Sequence, residues 1–182
     1  MIKKLFNKNY ANVIVITNYL IKASQALFIL YLIEIYISAE ELNIALNIYF
    51  ILGFVLMFDF GIPNVIARNI IRQLEVKYDH IKIGYGFKIL LASLIISIIA
   101  AYLYIYSFLG YTNLIPIVVL LILVRKCWSL NNAILFGFNK VNSFRTNELI
   151  LELFRIITTI SFLIIFKSFE SVLIAEIISF SI

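Results

Sequence analysis

Four basic residues lie deep inside long apolar stretches of the sequence: Lys22, Arg125, Lys126 and Arg155. A charge at the centre of a membrane helix costs about 2.5 to 3.5 kcal/mol on insertion scales unless partners or water relieve it. Arg and Lys form charge-assisted hydrogen bonds with phosphate groups. These four bases therefore predict a sheltered, positively charged pocket for an anionic ligand, and phosphate is the leading candidate.

Polar residues accompany these bases at helical spacing. Positions separated by three, four or seven residues lie on one face of a helix. Three apolar stretches carry such a polar face, which is typical of helices that line a water-filled cavity. The predicted cavity-lining residues are Asn18 and Gln25 beside Lys22, Ser129 and Asn132 after Arg125, and Glu152 and Thr159 around Arg155.

Purely structural roles are open for two of the bases. Glu152 precedes Arg155 by three residues, so a local ion pair on one helix explains both. Lys22 and Glu176 are candidates for a second structural bridge, between the first and last apolar stretches.

Arg125 and Lys126 are harder to explain in this way. Adjacent helical positions point about 100° apart, so at least one of the two should face a neighbouring helix. Their own apolar stretch contains no acid. The deep acids are Glu152 and Glu176, so four bases stand against two acids and the interior is predicted to be net positive.

The composition indicates a membrane protein, with 63% hydrophobic and 14% charged residues. A bilayer core of about 30 Å takes about 20 helical residues to cross. The sequence predicts an all-α, polytopic transmembrane helix bundle forming one lobe over residues 1–182. Its predicted spans are 12–36, 42–60, 85–109, 116–138, 148–166 and 172–182, the last being too short to cross, so that the sixth helix is expected to be incomplete.

Two connections have features of their own. The segment DFGIP, with Gly61 and Pro63, disfavours a straight continuation of the second span. The following NVIARNIIRQLE predicts a short amphipathic helix on the membrane surface. Its predicted polar side carries Asn64, Arg68, Arg72 and Glu75, and its apolar side carries Val65, Ile66, Ile70 and Leu74. The segment GFNKVNSFRTN is predicted to be a loop before the fifth span.

Basic residues in the connections predict the orientation. With a cytoplasmic N-terminus, the opposite side holds only Lys167. The cytoplasmic side then holds the ten residues Lys3, Lys4, Lys8, Arg68, Arg72, Lys77, Lys82, Lys88, Lys140 and Arg145.

Several classes of function are disfavoured. Cys127 is the single cysteine, His80 is the single histidine, and no nucleophile triad, metal-ligand spacing or Gly-rich phosphate loop is present. The basic residues follow membrane topology instead of forming a stripe that would bind nucleic acid. The sequence predicts neither an enzyme nor a bound cofactor.

The basic N-terminus that leads into the first span, FDFGIPNVIARNI after the second, and ILFGFNKVNSFRTNELILELFRI between the fourth and fifth carry a family resemblance. The chain resembles the N-terminal part of polysaccharide biosynthesis proteins and O-antigen flippases of the multidrug/oligosaccharidyl-lipid/polysaccharide exporter superfamily. The likeness covers the whole chain, or about the first half of the helices expected of the family.

The resemblance implies a multi-pass transporter of the bacterial cytoplasmic membrane with two six-helix lobes. Its cargo would be undecaprenyl-pyrophosphate-linked oligosaccharide, moved by alternating access, and a glycan polymerase and other assembly proteins are further candidate partners. The four deep bases would contact the pyrophosphate, as judged by position. A cytoplasmic hinge or gate would include Asp59, Gly61, Pro63 and Arg68. A single lobe is not expected to transport alone.

Two alternatives stay open. A cation-coupled multidrug exporter of the same superfamily should favour deep acids, which the excess of bases disfavours. A membrane scaffold protein would use its buried charges to fix helix register. That alternative predicts carboxylates from neighbouring helices beside Arg125 and Lys126.

Overall fold

A computed structural model describes residues 13, 16, 17, 20, 21, 29, 31–57, 62–75, 81–138 and 141–181. These residues are almost entirely helical, and no strand occurs among them. The helices are α1 (Ala39–Met57), α2 (Ile62–Glu75), α3 (Ile81–Tyr104), α4 (Ile115–Gly137), α5 (Val141–Phe166) and α6 (Phe169–Phe180).

Three helical segments in the described part of the chain are long and apolar enough to cross a membrane: Lys88–Leu109, Thr112–Gly137 and Arg145–Phe166. They coincide with the third, fourth and fifth predicted spans, so the predicted all-α membrane class is confirmed to that extent. The second and sixth predicted spans correspond to α1 and α6. Most of the first predicted span lies outside the described residues.

The outward faces of these helices are apolar. On α3, Ile95, Ile99 and Leu103 follow one another at intervals of four residues and are 51%, 52% and 53% exposed. Large side chains of this kind would be unfavourable in water, and contiguous apolar surfaces of this sort mark contact with a membrane or a partner. In a bilayer they face acyl chains at no such cost.

α3 and α4 are joined by a short, well-defined turn. α3 ends in a π-helical turn, Ile105–Leu109, and Gly110 follows with φ of 70°. A residue without Cβ adopts this left-handed conformation readily, and the Gly110 amide donates to the Ile105 carbonyl to close the turn. Pro116 occupies the first turn of α4, where its missing amide hydrogen costs nothing.

The largest apolar core joins α1, the end of α3, the first half of α4, the end of α5 and the start of α6. Ile48, Ile105 and Leu121 are fully buried within it. A second, smaller core contains Ile66 and Ile70 of α2. α4 packs against both cores, and its charged residues lie between the part that contacts the first core and the part that contacts the second.

The amphipathic helix is present as α2, and it packs against α4 and α3. Ile66 and Ile70 are buried while Arg68 is exposed, as predicted. Val65, predicted on the apolar side, is 50% exposed. Close helix contact depends on Gly137, because a Cβ there would lie 2.8 Å from the Ile70 Cβ.

Two predicted boundaries are wrong. α5 begins at Val141, so seven of the eleven residues predicted as a loop belong to this helix. The polar residues that lie between Val141 and the apolar part of α5 include no Pro or Gly. The helix therefore extends through them, beyond the N-terminal end of the apolar part. α6 begins at Phe169, before the predicted 172, because the Ser168 hydroxyl caps it by accepting from the Ser171 amide.

Candidate functional site

Two arginines from different helices converge on one carboxylate. Arg125 of α4 donates through Nη2 to Oε2 of Glu176 on α6. Arg155 of α5 donates through Nη2 to the other oxygen, Oε1, at 2.7 Å. The Glu176 side chain is 1% exposed, against 14% for Arg125 and 21% for Arg155. Glu176 therefore bridges two helices from a buried position on a third.

Further donors and acceptors surround this bridge. The Tyr49 hydroxyl of α1 donates to Glu176 Oε1 at 3.4 Å. Arg155 also donates through Nη1 to Glu152 Oε2 at 3.3 Å, which is the local ion pair predicted from their spacing. Four helices thus contribute to one polar cluster. Each of these hydrogen bonds has at least one charged partner, which strengthens it.

An aromatic ring lies against both guanidinium groups. The centroid of the Phe180 ring is 5.2 Å from the Arg125 Cζ and 5.7 Å from the Arg155 Cζ. These distances are within the range of cation–π attraction. Phe180 follows Glu176 by one helical turn on α6, so the carboxylate and the ring contact the same two arginines. Trp128 in turn contacts Phe180 edge-on, with ring centroids 6.4 Å apart.

Among the described residues that lie deep within the predicted spans, bases outnumber acids by one. Arg125, Lys126 and Arg155 stand against Glu152 and Glu176. Lys126 is only 2% exposed, and the side chains of Arg125 and Arg155 are mostly buried, at 14% and 21% exposed. The buried Nε atoms of both arginines have no hydrogen-bond partner within the described part of the protein. Each guanidinium can therefore donate at least one further hydrogen bond.

An open pocket of about 480 Å³ lies beside this cluster, between α2, α4, α5 and the end of α6. This volume is in the range of small-molecule sites, about 300 to 1,000 Å³. Its lining residues are Pro63, Asn64, Ala67, Trp128, Ser129, Asn132, Ala133, Phe136, Glu148, Leu151, Glu152 and Phe180. Glu152 and Phe180 belong to both the pocket and the charged cluster, so the two features share a wall.

The structure divides the predicted site residues into several groups. Ser129, Asn132 and Glu152 line the pocket together with Pro63. Arg125, Lys126 and Arg155 are not in its lining. Thr159 is 1% exposed and is not part of the lining. Arg68 is exposed on α2. The predicted residues Lys22, Asn18, Gln25, Asp59 and Gly61 lie outside the described residues.

Sequence reasoning missed the aromatic part of the site. Trp128 precedes Asn132 by one turn, so it belongs to the same helix face as the polar residues that were singled out. Phe180 follows Glu176 at the same interval. Both spacings were available in the sequence, but aromatic residues in an apolar stretch do not stand out from its composition.

Glu148 and Glu152 are the charged residues of the pocket lining, and no Lys or Arg accompanies them among the described lining residues. The pocket itself therefore offers acceptors and aromatic rings, while the adjoining cluster supplies the cationic donors. Among the described residues, no group of three or more His, Cys, Asp or Glu side chains is placed to hold a metal ion.

No protein-family model matches the chain, and neither a curated protein nor a solved structure is significantly similar to it. The flippase resemblance thus remains an expectation based on the motifs in the sequence.

Proposed function

We propose that this chain is part of a transporter that moves a lipid-linked oligosaccharide across the cytoplasmic membrane by alternating access. The observation that carries this proposal is the convergence of Arg125 and Arg155 beside a polar pocket in an otherwise apolar helix bundle. The cluster places two guanidinium groups at the wall of this pocket. Such a site suits a cargo whose headgroup is a pyrophosphate.

The proposed division of labour follows the chemistry of each surface. The guanidinium groups bind the phosphate oxygens, because Arg offers several donors in a planar fork. The pocket accepts the adjoining sugar, since Ser129, Asn132 and Glu152 can exchange hydrogen bonds with hydroxyl groups. The lipid tail stays in the bilayer, against the apolar outward faces of the helices.

The direct test is glycan export in cells that depend on this protein. The variant combining Arg125→Gln and Lys126→Gln should lower export at least about tenfold, the equivalent of one lost charge-assisted contact. Lys167→Gln is the control, because Lys167 is exposed outside the candidate spans and away from the cluster. Membrane abundance should be equal in both. Unimpaired export by the double variant at normal abundance would refute the anionic site.

A scaffold function is the second candidate, and one observation favours it. Arg125 contacts a carboxylate on a neighbouring helix, as that alternative predicts. Buried ion pairs are often replaceable by apolar residues without loss of stability. The triple variant Arg125→Met, Arg155→Leu, Glu176→Leu should therefore stay folded. If the cluster only fixes helix register, glycan export survives this change, whereas a cargo site is abolished.

The cation-coupled exporter has a narrower basis. Its supporting feature is the presence of Glu148 and Glu152 in the pocket lining. Uptake of a cationic dye into proteoliposomes, compared between the wild type and Glu148→Gln, tests this alternative. Dye transport that requires Glu148 would favour the exporter over the lipid-linked glycan.

A further inference from the structure

The carboxylate of Glu176 occupies the position where a bound phosphate would meet the two arginines. We propose that Glu176 is a resident counter-anion, and that an anionic phosphate ester or pyrophosphate binds by displacing it from Arg125 and Arg155. This inference rests on the proposed function in one respect, namely that the two arginines receive an anion.

The donor geometry supports exchange. Each oxygen of Glu176 accepts from a different arginine, Oε2 from Arg125 and Oε1 from Arg155. Two oxygens of a phosphate group can accept from the same pair of donors. A phosphate has a further oxygen, and both arginine Nε atoms are buried without a partner in the described protein. The arginines can therefore offer an incoming phosphate donors that the carboxylate leaves unused.

The two arginines are also more accessible than the carboxylate that they share. Glu176 is 1% exposed, whereas Arg125 and Arg155 are 14% and 21% exposed. An anion can thus contact the arginines from their open side before the carboxylate leaves. Phe180 lies beside both guanidinium groups on the same helix as Glu176, so its contacts with them should change when the carboxylate leaves.

Exchange would change the packing of α6. The links from Glu176 to Arg125 and Arg155 tie α6 to α4 and α5, and Tyr49 adds a link to α1. Another polar link to α5 is the contact between the Thr158 and Ser179 hydroxyls at 2.8 Å. The Ser171 hydroxyl also donates to the Phe162 carbonyl oxygen of α5 at 3.4 Å. Loss of the carboxylate links would leave α6 held to α5 by these two polar contacts and by apolar packing. Binding of the anion is therefore coupled to release of one helix. The carboxylate-bound and anion-bound states differ in the contacts of the arginines, and a ligand-driven conformational change requires such a difference.

The central prediction is that removing the negative charge of Glu176 strengthens anion binding. Glu176→Gln preserves the shape of the side chain but no longer competes as an anion. We expect its affinity for inorganic pyrophosphate to be about tenfold higher than that of the wild type. Glu176→Asp, with a shorter reach to the arginines, should give a smaller increase. It also serves as a second test should Glu176→Gln fold poorly.

Binding can be followed on the full chain in detergent. Trp128 is the only tryptophan, and its ring contacts Phe180, which lies against both arginines. Its fluorescence should respond when the guanidinium partners change. Glu170→Gln is the matched control, because Glu170 is an exposed acid on the same helix. Its affinity for pyrophosphate should equal that of the wild type.

A second arm separates free anions from lipid headgroups. Nanodiscs of phosphatidylcholine that contain phosphatidic acid present an anionic phosphate monoester within a bilayer. Nanodiscs of phosphatidylcholine alone are the control. A response to phosphatidic acid alone, enhanced by Glu176→Gln, assigns the exchange to a lipid headgroup. A response to soluble pyrophosphate, enhanced in the same way, assigns it to an anion that enters from water. Both results support exchange.

Two results would overturn the inference in different ways. If the wild type binds either probe, the variant combining Arg125→Gln and Lys126→Gln does not, and Glu176→Gln and Glu176→Asp bind no more tightly than the wild type, Glu176 is no competitor. The anionic site then stands without the exchange. If neither the wild type nor the Glu176 variants respond to any probe, the arginines do not receive phosphate, and the proposed cargo site fails with the inference.

Discussion

The two halves of α4 are one helix with two kinds of packing. Residues 115–124 carry no charge, and Val118, Leu121 and Ile122 are fully buried in the large apolar core. Residues 125–137 carry Arg125 and Lys126, line the pocket, and approach α2 at Gly137. In a membrane the first half exchanges lipid contact for protein contact, which gains mainly van der Waals energy. The second half needs particular partners.

This difference has a consequence for specificity. Apolar side chains can pack against many neighbours in a bundle and lose little. A buried arginine is satisfied only where a carboxylate and further acceptors meet it, so the charged half of α4 selects one arrangement of α5 and α6. Mutations should therefore be most costly where a charged partner is lost, and milder where only a cavity or a tight contact is made.

Loss of Glu176 should have the largest effect on stability. Glu176→Ala leaves two arginines without their shared carboxylate, and breaking a buried ion pair costs about 3 to 5 kcal/mol. Unfolding in a mild detergent, followed by the fluorescence of Trp128, measures this loss. Glu170→Ala on the exposed side of α6 should stay within about 0.5 kcal/mol of the wild type. Equal stability of the two variants would show that the bridge is not a structural element.

The apolar half of α4 should respond less strongly. Leu121→Ala creates a cavity at a fully buried position, with an expected cost of about 2 kcal/mol. We place it at the low end of the range because transfer from lipid adds little. The neighbouring Leu120 is 47% exposed, so Leu120→Ala should be almost neutral in the same unfolding measurement. A larger loss for Leu121→Ala than for Glu176→Ala would reverse the proposed ranking.

The contact between α2 and α4 tests packing without charge. In Gly137→Ala the new Cβ would lie 2.8 Å from the Ile70 Cβ and 3.1 Å from the Ala67 carbonyl oxygen. The helices must separate, and we expect a cost of about 1.5 kcal/mol. Gly53→Ala has nothing within 4 Å of its Cβ and should be neutral or stabilising by up to about 1 kcal/mol. A thermal unfolding series of the two variants separates tight packing from helix propensity.

The smallest effect is expected outside the spans, where a polar pair is exposed. The Tyr111 hydroxyl donates to Glu40 Oε1 at 3.1 Å. This hydrogen bond raises the pKa of Tyr111 above its ordinary value near 10. The neutral phenol is thus favoured in the folded protein, and the contribution of the bond is present below pH 10 and lost as the pH rises through the raised pKa. The absorbance difference between wild type and Tyr111→Phe during alkaline titration measures it, and Glu40→Gln should lower the midpoint. An unchanged midpoint would show that the bond is not formed in solution.

The helices that could be predicted were those whose evidence is local. The third, fourth and fifth spans were found because length and apolar composition alone decide whether a helix can cross a bilayer. The amphipathic helix was found from its periodicity. The starts of α5 and α6 were misplaced, because a polar segment without a strong helix breaker can be either a loop or a helical extension. Local sequence does not decide between them.

The pairing of residues within the site is harder to predict from the sequence. The ion pair between Glu152 and Arg155 was predictable, since three residues on a helix bring side chains together. Arg125 and Glu176 are separated by 51 positions. The sequence identified both as buried charges, yet their pairing depends on how α4 and α6 cross. The same holds for Tyr49, which joins the cluster from α1.

The sequence by itself determined that the chain is helical and apolar, that basic residues lie deep within it, and that polar faces run along individual helices. These properties follow from composition and from the 3.6-residue period, which act within one segment. Only the tertiary structure decided that two arginines share Glu176, that Phe180 lies against both, and that a pocket opens beside them. Those features join residues from separate helices, and their energies depend on distances that a linear pattern does not contain.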